Sequence, residues 1–234
     1  MDRPHLKICL ALMALIGALI GMAVIEAFPA QAPNPPALGN RAIATLENQD
    51  GKFFCTAVYI RAGGDTLEAG SGLAWVATAA HCANAVARPR IRGRQYVMGS
   101  VTWRALVLSR EDLTVDGLDV AIGTLPDARD TEKRQYYTLA LRNPEPGQAV
   151  LIHGFPHGTE RLLHAVITAA EGLGIRLRVR DGIIESGFSG AAVLTEAGEV
   201  MGILWGVSAD DPTDGVMTPV NVLRLLFTTL QVRN

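Results

Sequence analysis

Residues 75–82, Trp75-Val76-Ala77-Thr78-Ala79-Ala80-His81-Cys82, carry a short apolar strand directly into a histidine and a cysteine. Two later segments complete a chemical set: Leu118-Asp119-Val120-Ala121 offers a carboxylate, and Gly187-Phe188-Ser189-Gly190 a hydroxyl. A serine hydroxyl is a poor nucleophile at neutral pH; it needs an imidazole to take its proton and a carboxylate to fix the imidazole tautomer. The chain supplies these groups in the order His81, Asp119, Ser189. The glycines flanking the serine add a further capacity, because a backbone free to bend can aim N–H groups at a developing oxyanion.

Outward from residues 75–82 the pattern is of short apolar or alternating runs broken by Gly, Pro, Asn and Asp, which predicts many short strands. A first group is expected at Ala42–Glu47, Phe53–Arg61, Gly72–Thr78, Tyr96–Met98, Thr102–Ser109 and Val120–Leu125. A second is expected at Ala149–His153, Leu162–Ala169, Ile175–Arg180, Ala191–Leu194, Val200–Val207 and Gly215–Pro219. The charged stretch Pro126–Gln135 has no apolar periodicity and reads as the connection between the groups. The dense basic run Arg88-Pro89-Arg90-Ile91-Arg92-Gly93-Arg94 reads as a solvated loop between strands. Only the end is predicted helical, over 221–231, with Asn221 as N-cap and Val222, Leu225, Leu226 and Leu230 as the apolar face.

A chain of 234 residues that is 49% hydrophobic is long enough for an all-β pair of barrels and excludes a wholly disordered protein. The formal net charge of −2, with arginines scattered, argues against nucleic acid as a partner. At the amino terminus the uncharged run from Ile8 to Ile25 follows Arg3, His5 and Lys7, the arrangement of an export signal. Residues 1–28 are therefore expected to be a signal peptide or a signal anchor, with membrane contact through residues 8–25 in the second case. A proline-rich spacer, 29–39, follows, and one folded domain occupies 40–234, with barrels over about 40–125 and 136–220. An exported location, periplasmic or secreted, gives Cys55 and Cys82 an oxidising compartment, in which they either pair or remain two buried thiols.

The same segments carry a family resemblance: the chain resembles the trypsin/chymotrypsin-like serine peptidases, and among them the compact exported branch found in bacteria. The resemblance covers roughly residues 41–226. It implies two antiparallel six-stranded β-barrels with a C-terminal helix and an active site between the barrels. It further implies His81 as base and then acid, Asp119 as its orienting carboxylate, Ser189 as nucleophile, and the N–H groups of Gly187 and Ser189 as oxyanion donors. Cys55, in Phe53-Phe54-Cys55-Thr56-Ala57, is similar to the cysteine that pairs with the one after the catalytic histidine, so a Cys55–Cys82 disulfide is implied. Asp112 and Asp116 are weaker alternatives to Asp119, since neither directly precedes an apolar strand.

Two departures from the family pattern stand out. Phe188 replaces the aspartate that, in many animal members, pairs with a new amino terminus after activation cleavage; that activation route is not expected here. Ala191-Ala192 replaces the usual Gly-Pro. For specificity, Leu204-Trp205-Gly206 resembles the strand that pairs with substrate backbone, Gly215-Val216 a pocket wall, and Ile183 the pocket floor. An isoleucine floor offers no charge for a basic side chain, so small or medium apolar P1 residues are expected.

No cofactor is expected, and no metal. No second cysteine or histidine pair stands at ligand spacing from His81 and Cys82, and His153 and His157 are separated by a Gly-Phe-Pro turn. The implied partner is a protein or peptide substrate. The alternative reading is a catalytically inactive binding or scaffold protein of the same fold at the cell envelope, whose usual sign, loss of a triad member, is missing. An esterase-type hydrolase is disfavoured, because the fifth residue of its Gly-x-Ser-x-Gly motif is here Ala191 and its triad order is Ser, Asp, His.

Overall fold

The strand Phe53–Arg61 decides how the molecule is built, because both of its faces are buried. A computed structural model describes residues 42–61, 74–85, 89–93, 97–109, 117–125, 136–170 and 173–231. The expected export segment, spacer and domain start at 40, the connection Pro126–Gln135, and Asp112 and Asp116 lie outside these residues.

The first sheet contains β1 (Ile43–Glu47), β2 (Phe53–Arg61), β3 (Ala74–Thr78), β4 (Arg90–Gly93), β5 (Val97–Ser100), β6 (Thr102–Ser109) and β7 (Leu118–Leu125). The strands lie in the order β5-β4-β1-β2-β3-β7-β6, so β5 and β6, at opposite ends of the path, are successive in the chain. A two-residue strand, β8 (Tyr137–Thr138), pairs with β2 in parallel. The second sheet closes on itself as β10-β11-β14-β13-β12-β9. Its strands are β9 (Ala149–Gly154), β10 (Arg161–Ala169), β11 (Ile175–Val179), β12 (Ala192–Leu194), β13 (Val200–Val207) and β14 (Asp214–Pro219). A short helix, α1 (Ala80–Ala85), follows β3, and α2 (Val220–Gln231) follows β14. Among the described residues no helix is long and apolar enough to cross a membrane.

The architecture is thus the expected pair of barrel-like sheets, with the six strands of the second in their expected places. The first sheet gains β4 and β8. The basic run is not a solvated loop: residues 90–93 form β4, paired with β1 and β5, with Ile91 buried and Arg92 Nε 2.6 Å from Glu47 Oε1. Arginines alternating with a buried isoleucine are a strand with one wet face. Helix α2 begins one residue early, and the N–H of Asn221 is capped from outside by the side-chain oxygen of Asn143 at 3.1 Å. Its buried stripe is Val220, Leu223 and Phe227, flanked by half-buried Val222, Leu226 and Leu230, while Leu225 is exposed.

On β2, successive side chains face opposite ways. Cys55, Ala57 and Tyr59 join Val76, Cys82 and Ile91 in the core of the first sheet. Val58 and Ile60 instead join a larger cluster that includes Ala77 and Ile122 of the first sheet, Ile152, Leu194 and Ile203 of the second, and Leu223 and Phe227 of α2. One continuous apolar core therefore welds the two barrels, and the ring of Phe227 meets that of Trp75 at 4.9 Å between centroids. Burial on this scale makes relative motion of the barrels costly, since each fully buried large apolar side chain contributes about 1.5–3 kcal/mol.

Within the second barrel His153 is wholly buried between two partners. Its Nε2–H donates to Glu160 Oε1 at 2.9 Å, so Nδ1 accepts the hydroxyl of Tyr137 at 2.6 Å. Both ring nitrogens are thereby occupied, and His157 lies exposed on a separate turn, so the two histidines do not share a metal-binding face. Burial pulls the His153 pKa below its ordinary value, with the Glu160 hydrogen bond and charge opposing the shift. The unfolded chain then binds a proton that the folded one refuses as pH falls from about 6.5 toward the lowered value, and stability falls across that window. The melting temperature is expected to drop on acidification through that range, and His153→Gln to be less stable near neutrality but flatter with pH. Equal slopes for the two proteins would contradict this.

Candidate active site

His81 sits in the first turn of α1, directly after β3. A helix leaves its first N–H groups without intrahelical acceptors, and here Asp119 of β7 fills that role: the His81 backbone N–H donates to Asp119 Oδ1 at 3.0 Å. The same carboxylate takes the His81 ring through Oδ2, 2.6 Å from Nδ1. A carboxylate only accepts, so Nδ1 carries the proton and Nε2 of the neutral ring is bare. Asp119 lies inside β7 rather than before it and is only 1% exposed. Its backbone N–H donates to the Thr218 hydroxyl at 3.2 Å, which ties the carboxylate's strand to β14 of the second barrel.

Cys55 and Cys82 are joined by a disulfide with Cα atoms 6.2 Å apart. The bond ties β2 to the residue after His81. The sulfur of Cys82 lies 3.5 Å from His81 Nε2 and 3.9 Å from the carbonyl oxygen of Ser189. His81, Cys55 and Cys82 cluster closely enough to suggest metal ligands, but sulfurs consumed in a disulfide supply no thiolate.

Ser189 is partly exposed and lies in a loop whose every neighbour is held. The N–H of Thr56 donates to Ser189 O at 2.9 Å, and the Gly190 N–H donates to Leu204 O at 2.7 Å. Gly187 and Gly190 have φ of +100° and +86°, the left-handed region that glycine enters without strain. A Cβ at Gly190 would stand 2.1 Å from Thr56 O, and one at Gly187 would stand 2.7 Å from the Phe53 ring. These two positions accept no side chain. Phe188 is completely buried in the core shared by the barrels, and a Cβ at Gly154 would meet its ring at 2.6 Å. An apolar anchor thus holds the loop where an ion pair was absent from the sequence.

The residues named for specificity divide. Leu204 and Trp205 are buried, and the backbone of Leu204 is spent on Gly190 and Ala191. Among the described residues β13 pairs past Leu204 with β14 alone, because its pairing with β12 ends at Ile203. Gly206 faces open space. Ile183 is 45% exposed; its neighbour Ile184 is the buried one, its Cδ1 2.6 Å from where a Cβ on Gly215 would be, with Leu177 and Leu204 beside it. Sequence reasoning missed Ile184, Thr56, Thr78 and Gly154. Thr56 and Thr78 each stand in the sequence only as a polar residue within an apolar stretch.

The trypsin-like peptidase domain family matches residues 55–203, a span containing His81, Asp119, Ser189 and both bonded cysteines. No curated protein matches the sequence. Among solved structures the chain is similar to the active form of the Rv3671c protease from M. tuberculosis, at 20% identity and a TM-score of 0.56 with 86% of each chain covered. It is similar to a serine endoprotease from Yersinia pestis at 18% identity and a TM-score of 0.59, covering 81% of this chain and 62% of that one. It is also similar to human heparin binding protein at 18% identity and a TM-score of 0.62, covering 84% and 94%. Likeness at these identities establishes the fold.

Proposed function

Because the chain belongs to the trypsin-like peptidase domain family, we propose that it is a serine endopeptidase that cleaves peptide bonds through an acyl-enzyme on Ser189. In this reading His81 Nε2 takes the Ser189 proton as the hydroxyl attacks the scissile carbonyl, then returns it to the leaving amine. Asp119 keeps the proton on Nδ1 and offsets the imidazolium charge as it forms. The N–H groups of Gly187 and Ser189 stabilise the oxyanion. The observation that carries the reading is the double grip of Asp119 on His81, ring and backbone together, which leaves Nε2 as the basic nitrogen.

The free side of β13 past Leu204 supports antiparallel binding of a substrate strand, the mode in which an extended peptide adds to a sheet edge. A preference for small or medium apolar P1 residues is supported by the chemistry beside Gly215, whose nearest side chains are the apolar Ile184, Leu177 and Leu204. Export, with the compact bacterial members as the nearest analogy, is supported by the run Ile8–Ile25 behind Arg3 and Lys7 and by the disulfide.

Incubation of the folded protein with a mixed peptide library, read by mass spectrometry, tests this. Cuts after residues such as alanine and valine are expected. Cleavage mainly after arginine or lysine would overturn the pocket assignment. A folded protein that cuts nothing would overturn the peptidase and favour a binding protein of this fold.

A further inference from the structure

We propose that Thr56 is a positioning residue for the oxyanion site, its buried hydroxyl holding the Gly187 carbonyl so that the Gly187–Ser189 backbone keeps its N–H groups convergent. The proposal rests on the peptidase reading above. Thr56 lies on β2, next to the disulfide cysteine, and is completely buried on the face of the strand that also carries Val58 and Ile60 toward the second barrel. All of its polar atoms are committed. The hydroxyl donates to Gly187 O at 2.7 Å and accepts the Phe155 N–H at 2.9 Å. The backbone N–H donates to Ser189 O at 2.9 Å, and the carbonyl accepts the hydroxyl of Thr78 at 2.7 Å.

One residue of the first barrel thus holds both ends of the tripeptide Gly187-Phe188-Ser189 and the end of β9. The neighbouring Cys55 reaches the base through Cys82. The dipeptide Cys55-Thr56 therefore fixes base and nucleophile against each other across the two barrels. The hydroxyl is the part that sequence variation could remove. Gly187 has φ of +100° and no side chain to restrain it, so the peptide after it is set by two hydrogen bonds, from the Thr56 hydroxyl to its carbonyl at 2.7 Å and from its Phe188 N–H to Glu185 O at 3.2 Å. Without the hydroxyl, the buried Gly187 carbonyl and Phe155 N–H both lose their partner, and the loop gains by turning to find others. Donors that must be preorganised for the transition state are then no longer so.

The test compares the full chain with Thr56→Val, which keeps shape and loses the hydroxyl, and Thr56→Ser, which keeps the hydroxyl. Peptide turnover is measured with a substrate from the library, along with affinity for the matching peptide aldehyde, which forms a tetrahedral oxyanion, and for the peptide product, which does not. Thr56→Val is expected to lower kcat about 10²-fold, the scale of one lost oxyanion contact. Aldehyde affinity should weaken in parallel, with KM and product affinity nearly unchanged, and Thr56→Ser should restore most of the loss. Should Thr56→Val fail to fold, Thr56→Ala carries the same expectation. A folded hydroxyl-less variant with wild-type kcat overturns the proposal. So does a loss that Thr56→Ser does not restore and that follows melting temperature rather than aldehyde affinity. A wild type that neither cleaves peptides nor binds the aldehyde overturns the peptidase reading itself and this inference with it, a result visible before any variant is compared.

Discussion

Ser189→Ala is expected to lower kcat about 10⁶-fold while leaving KM and the melting temperature nearly unchanged, because it removes the attacking atom and nothing that holds the fold. The loop around Ser189 is set by groups other than its side chain. Its carbonyl is held by Thr56, the next residue by Leu204, and Phe188 is sunk in the shared core. The N–H groups proposed as oxyanion donors and the proposed substrate edge are therefore expected to survive in the variant, with a residual acceleration of about 10³-fold over water. Steady-state kinetics on a cleaved library peptide, with a melting curve as the folding control, check this. A variant retaining a tenth of wild-type turnover would place the nucleophile elsewhere.

Asp119→Asn is expected to cost about 10⁴-fold in kcat through the tautomer of His81 rather than through its position. The carboxylate presents two acceptors to two donors: Oδ1 to the His81 backbone N–H and Oδ2 to Nδ1. An asparagine has one acceptor oxygen and one NH₂ group. The backbone donor cannot change, so it claims the oxygen and turns the NH₂ toward the ring. Nδ1 must then accept, the ring proton moves to Nε2, and that nitrogen can no longer take a proton. Nitrogen chemical shifts of the His81 ring distinguish the two tautomers directly. Loss of activity with Nδ1 still protonated would sink this explanation, and full activity would remove Asp119 from the mechanism.

How much of this the sequence disclosed depended on how local each cause was. The second-barrel strands announced themselves through alternation and turn residues, and β2 and β6 have their expected boundaries because apolar runs and breakers are local signals. Strand β4 was hidden because Ile91 is its only buried side chain, so arginines dominated the reading. Strand β8 has two residues and exists only through its pairing with β2. The His81–Asp119 geometry was foreshadowed by motif and order, since that chemistry restricts which residue types can serve. Thr56 had no such prompt: it reads as an ordinary polar strand residue until Gly187, 131 positions away, is brought to its hydroxyl. Asn143 likewise caps α2 across 78 positions. Ile184 rather than Ile183 turns inward beside Gly215, a choice of side fixed by the path of a loop that carries no periodicity.

The proposed peptidase stands on a Ser189 made nucleophilic by His81 and Asp119. Its most direct test is reaction of the folded protein with a fluorophosphonate at neutral pH, followed by mass-spectrometric mapping of the modified peptide. A single adduct on Ser189 is expected, absent in Ser189→Ala and formed far more slowly in Asp119→Asn. A folded protein that gives no adduct at Ser189, or one that labels equally well after Ser189→Ala, would contradict it.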